Sequence, residues 1–201
     1  MAINETTERI TQAALALFLQ AGVKKTSLAD VAYHAGVTRI TVYRYHGDKR
    51  GLVRAVCMRL AAIYQRAAEA GSDDTMRQID QRLDRLGQDL RCLPQGNLLA
   101  CIEEIQRLYP DVHEEFRQAR QAAIDRIAQQ TLKAATREQS LREGLNLEVV
   151  KSLFLAAVFG LLENPALISS NISPADVCKT VTEVFRYGIL KNPAGATHHA
   201  P

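Results

Sequence analysis

The chain has 201 residues, 47% of them hydrophobic but only 5% aromatic, with no Trp, six Pro and a formal net charge of +3. That length supports a substantial core in one or two domains, and an aliphatic, Pro-poor mix favours an all-α fold. Cys57, Cys92, Cys101 and Cys178 are widely spaced without a C-x-x-C pair, no leader is read, and no apolar run approaches the ~18 residues of a membrane span; these features exclude a disulfide scaffold and predict a cytoplasmic chain with reduced thiols.

In chain order, Ile10, Ala13, Ala14, Leu17 and Phe18 recur at helical spacing and predict a helix from Asn4 to Ala21, ended by Gly22. Lys24 and Lys25 lie in the connection that follows. Ser27 is a good N-cap for a short helix that turns Leu28, Val31, Ala32 and Ala35 to one face. Gly36 supplies a positive φ, Val37 plugs the corner, and Thr38 caps a second helix running to about Tyr45, so the stretch is a helix-turn-helix. On that second helix only Val42 and one edge of Tyr45 point inward. Arg39, Ile40, Thr41, Tyr43 and Arg44 are left to face out or lie on the flanks. A major-groove reader uses such a set, because an Arg fork matches guanine O6 and N7 and Ile meets a thymine methyl. Arg39 and Arg44 are the expected base readers with Ile40 on a methyl, and Thr26, Thr38, Thr41, Tyr43, Tyr45 and Lys49 are the expected phosphate contacts. Asp48 and Lys49 open the next helix, whose N-terminal amides and lysine are placed for a phosphate.

Residues 5–56 resemble the DNA-binding domain of the TetR-type transcriptional regulators. The resemblance rests on ERITQAALALFLQAGVKKTSL, on the ADVAYHAGV turn and on TRITVYRYHGDKRGLV, and covers about a quarter of the chain. His46 stands where the family commonly has Phe. The resemblance implies a dimeric repressor released from its operator by a small molecule, with residues 1–50 as the DNA-binding domain and 51–191 as the effector-binding and dimerisation domain. Charge distribution agrees with a nucleic-acid partner: residues 1–66 hold ten Lys or Arg against four Asp or Glu, while the remainder holds fifteen against eighteen.

Helical periodicity then predicts Asp48 to about Ala70, Thr75–Leu93, Leu98–Tyr109 and Val112 to about Gln139, with a loop over Ser140–Asn146. From Val149 to Leu162 the sequence is apolar nearly all round, and a helix that is apolar on all faces needs cover on all faces. A second copy of the chain supplies it. With the amphipathic helix from Pro174 to about Leu190, this predicts a two-fold four-helix interface at Val150, Leu153, Ala157, Leu161, Val181, Val184 and Phe185. Residues 192–201, including His198 and His199, are expected to be a disordered tail.

The family layout implies an effector enclosed between the later helices, and Leu60, Tyr64, Leu83, Leu86, Cys101, Ile105, Tyr109, His113, Phe116 and Phe154 are the candidate lining. They form a mostly apolar set, which points to a lipophilic or aromatic effector of modest size. G-x-S-x-G, H-E-x-x-H, a phosphate-cradling Gly loop and metal-like Cys/His spacing are all missing, so no cofactor, metal or catalytic group is expected. Two other readings stand beside the regulator: an architectural DNA-binding protein without a ligand, and a Cys57-dependent transferase or hydrolase.

Overall fold

The computed structural model describes residues 2–69 and 74–191, with side chains from Glu5 onward. The expectations for residues 70–73 and for the tail at 192–201 lie outside the described residues. The described residues form ten helices: α1 Ala2–Ala21, α2 Leu28–His34, α3 Arg39–His46, α4 Lys49–Ala68, α5 Met76–Arg91, α6 Leu98–Leu108, α7 Pro110–Arg137, α8 Leu147–Leu162, α9 Pro165–Ser169 and α10 Pro174–Ile189. No strand is formed among the described residues, in keeping with the all-α expectation.

Local chemistry sets most boundaries. Ser27 and Asp30 cap α2 reciprocally, Thr75 and Gln78 do the same for α5, and the side chains of Thr38, Asp48, Asn97, Asn146, Asn164 and Ser173 each accept from an otherwise orphan amide at a helix start. Pro sits in the first turn of α7, α9 and α10, where its missing N–H costs nothing. Tyr109 both ends α6 and precedes α7, with φ −140° and ψ 64°.

Ile10, Ala14, Leu15 and Phe18 of α1 are buried with Val31 of α2, Val42 of α3 and Leu52, Val53 and Val56 of α4. Each fully buried aliphatic side chain here contributes ~1.5–3 kcal/mol relative to exposure, enough to hold three short helices rigid. Helix α4 continues into the rest of the molecule and makes its broadest contact with α7, which in turn packs on α5, α6 and α8; α10 closes against α5 and α8. The loop after α7 is held down at long range: Arg142 N donates to Ile189 O at 2.9 Å and Lys191 N to Ser140 O at 2.7 Å.

Candidate nucleic-acid interface and ligand cavity

Helix α3 is pinned by one buried side chain, Val42, and by the Thr38 cap, whose Oγ1 accepts from Thr41 N at 3.2 Å. Arg39, Ile40, Tyr43 and Arg44 are displayed. Ile40 is 79% exposed and Tyr43 42%, although an aliphatic side chain gains by leaving water. Arg39 Nη2 donates to Tyr43 Oη at 3.1 Å, with the guanidinium 5.4 Å from the ring centroid, and Arg44 lies 5.1 Å from the centroid of Tyr45. Both arginines therefore rest on tyrosine faces, which restricts their rotamers before any partner arrives. Tyr33 on α2, 84% exposed, extends the surface; it was missed in sequence because a single Tyr on a short helix carries no periodicity signal.

Two expected phosphate contacts are corrected. Thr26 is 3% exposed and its hydroxyl donates to Gly22 O at 2.8 Å, so it closes the turn after α1 and is not on the surface. Lys49 is half-buried with Nζ donating to Lys24 O at 3.1 Å, and burial holds its ammonium below the usual lysine range. At the other end of α3, His46 is half-buried and its Nε2 has no hydrogen-bond partner; burial lowers its pKa.

The turn after α1 is tied to the body of the protein by one carboxylate. Glu104 on α6 accepts from Val23 N at 2.7 Å and from Lys24 N at 3.1 Å. Arg54 of α4 adds an ion pair with Glu115 of α7 at 2.7 Å, and Arg50 pairs with Asp111. Further on, α5, α7, α8 and α10 enclose an apolar cavity of about 50 Å³, lined by Leu83, Ile127, Leu132, Val150, Phe154, Phe185 and Ile189, with Thr131, Thr182 and the Asp80–Arg186 pair at its polar edge.

Residues 10–56 match the family model described as bacterial regulatory proteins, tetR family. The HTH-type transcriptional regulator TtgR of Pseudomonas putida is 29% identical over 182 residues, covering 84% of each chain. Among solved structures, the SmeT–triclosan complex superposes with a TM-score of 0.61 at 19% identity over 98% of this chain and 99% of that one. SmeT is described as the repressor of the Stenotrophomonas maltophilia multidrug efflux pump SmeDEF. The TetR-family protein CprB of S. coelicolor A3(2) gives 0.61 at 19% identity over 95% and 91%. Residues 10–56 match the TetR-type DNA-binding domain, and the chain as a whole shares the fold of these regulators.

Within this fold the expected site residues separate into three groups. Thr38, Arg39, Ile40, Tyr43 and Arg44 share the exposed side of α3, with Thr41 and Tyr45 half-buried on its flanks. Of the expected effector lining, Leu83 and Phe154 face the apolar cavity, while Leu86 is buried at a neighbouring void between α5 and α10. Leu60, Tyr64, Cys101, Ile105, His113 and Phe116 are core, and Tyr109 packs half-buried against it. Their apolar character reflects packing between α4, α6 and α7.

The expected interface residues divide by exposure. Val181 is 5% exposed and faces its own protomer, Val150 and Phe185 line the cavity, and Ala157 and Leu161 pack on the core. Leu153 and Val184 are exposed as expected, at 60% and 63%, and they continue into Val149 and Tyr187 at 61% and 72%. Among the described residues no helix is long and apolar enough to cross a membrane, and no group of three or more metal-ligating side chains occurs. Burial pushes the Cys57 and Cys101 thiols up to about 12 and that of Cys178 to about 11. A thiol nucleophile works as thiolate, so Cys57 does not supply one at neutral pH.

Proposed function

We propose that the chain is a homodimeric, sequence-specific DNA-binding repressor that a small, mostly apolar effector releases from a pseudo-palindromic operator. The observation that carries this is Ile40, displayed at 79% exposure between two arginines on a helix whose fold needs none of the three at its surface. Each subunit lays α3 in a major groove, with Arg39 and Arg44 on base edges and Thr38, Thr41, Tyr43 and Tyr45 toward phosphates. Two copies joined through the exposed sides of α8 and α10 present two such helices to half-sites one turn apart, ~34 Å.

The effector sits between α5, α7, α8 and α10, and it acts only by binding one separation of the two reading helices better than the other. Glu104 and the Arg50–Asp111 and Arg54–Glu115 pairs supply the mechanical path, since they join the DNA-proximal helices to α6 and α7.

The test begins with selection of preferred duplexes from a random pool, followed by anisotropy titrations on single-base variants. Arg44→Ala is expected to lose ~1–3 kcal/mol of affinity and to relax preference at one base pair. Identical base preferences in variant and parent would remove Arg44 as a reader, and a parent that selects no sequence at low salt would end the proposal.

A further inference from the structure

Arg120, near the middle of α7, is the one charged residue among the large side chains buried below 2% to 3% exposure, and its environment does not balance its charge. Its guanidinium lies 5.1 Å from the Phe116 ring centroid and 5.9 Å from that of Phe159. Among the described residues the acidic group within ion-pair distance is Glu163, just past the end of α8, with Oε1 3.5 Å from Nη2; that side chain is 58% exposed. Nε and Nη2 are both shut off from solvent and neither makes a hydrogen bond. The other nearby groups, Tyr64, Cys178 and His113, feel the guanidinium electrostatically, and burial favours the neutral form of each.

A guanidinium keeps its charge under all physiological conditions, and burying one without good partners costs several kcal/mol. Two aromatic faces offset part of that. They leave the in-plane donors unsatisfied, and buried donors without partners are rare enough in folded proteins to call for a specific explanation.

We infer that Arg120 anchors the effector of the proposed repressor, and that this effector is an apolar monocarboxylate whose oxygens take the Nε and Nη2 donors between Phe116 and Phe159. This rests on the repressor reading for what the bound acid does, but not for where it binds. A carboxylate matches the fork in shape and gives charge-assisted bonds. One negative charge neutralises one guanidinium, whereas a phosphate dianion would leave an excess charge buried among neutral neighbours. Glu163 holds the place loosely and swings to solvent when the ligand arrives. Cys178, which feels the guanidinium, also lines a void of about 170 Å³ between α5 and α10, where Leu83, Leu86 and Ala175 stand beside Asp84, Lys179 and Glu183.

The full-length protein is titrated with 4-phenylbutyrate and decanoate, their uncharged amides, and phenyl phosphate, and affinity is read by calorimetry and by the shift in melting temperature. The acids are expected to bind at least tenfold more tightly than the amides and phenyl phosphate. Arg120→Gln should lose that preference. Glu163→Gln, at an exposed position, should tighten acid binding about fivefold by removing the competing carboxylate, and this holds even if Arg120→Gln fails to fold. Acids that bind no better than amides, acids that move nothing, or unchanged acid affinity in Glu163→Gln would each overturn the assignment. Duplex binding is scored separately on the same preparation: a protein that selects DNA but ignores carboxylates loses this site and keeps the repressor, and one that binds acids through Arg120 but selects no DNA does the reverse.

Discussion

His46 closes α3 with an imidazole whose Nε2 is buried and unpartnered, at the position where TetR-type sequences commonly carry Phe. Leaving such a nitrogen without a partner costs ~1–3 kcal/mol, which a phenyl ring of similar shape avoids. Its proton linkage has a definite sign. Burial places the folded pKa below the ordinary histidine value, so the unfolded chain takes up the proton first. Stability is full above pH ~6.5 and falls as pH drops through that value until the folded pKa is reached. Melting temperatures at pH 7.5 and 5.5 should therefore show a loss on acidification in the parent. His46→Phe should melt higher at both and lose less between them. Some acid sensitivity should remain, because His113 is shifted the same way by burial and then by Arg120. A variant as acid-sensitive as its parent would place the linkage elsewhere.

At the scale of elements, Glu104 is the contact that joins α6 to the turn ahead of α2. In Glu104→Gln one of the two amide oxygen sites becomes a donor, so either Val23 N or Lys24 N loses its acceptor. Hydrogen exchange at those two amides should accelerate severalfold while the core amides of α4 hold their protection; unchanged exchange at both would show the carboxylate to be dispensable. Nothing in the sequence pointed to Glu104, which lies about eighty residues from the amides it serves and looks like any charged residue on the polar side of α6. The helix-turn-helix was legible because its information is local: a cap at Ser27, a positive φ of 62° at Gly36, a cap at Thr38 and one inward Val42. In α8 the apolar residues surround the axis, so periodicity does not say which side meets the core, and the expected set mixes exposed Leu153 and Val184 with buried Val181. The short α9 was read only as the end of α8, since Asn164–Pro165 serves equally as a stop and as a new start. Arg120 was passed over because a charged residue on a long polar helix gives no sign of burial.

For the molecule as a whole, the exposed sides of α8 and α10 are the feature a lone subunit does not explain. Val149, Leu153, Val184 and Tyr187 leave large apolar side chains in water on these two helices, and a Cβ added at Gly160 or Gly188 would meet nothing within 4 Å, so another backbone has room to approach. Light scattering on the eluting protein should give twice the chain mass for the parent. Val184→Asp should elute as a monomer with unchanged helicity and should bind operator DNA at least tenfold more weakly, since half of the contacts are lost. A parent that is monomeric at micromolar concentration would rule out this mode of assembly.

Arg120 is 2% exposed, with its guanidinium between the rings of Phe116 and Phe159. A carboxylate cannot reach it until the helices part. Association is then timed by how often the bundle breathes and not by how often the ligand collides, so the observed rate should level off as concentration rises, and the ceiling it reaches is the opening frequency of the fold itself.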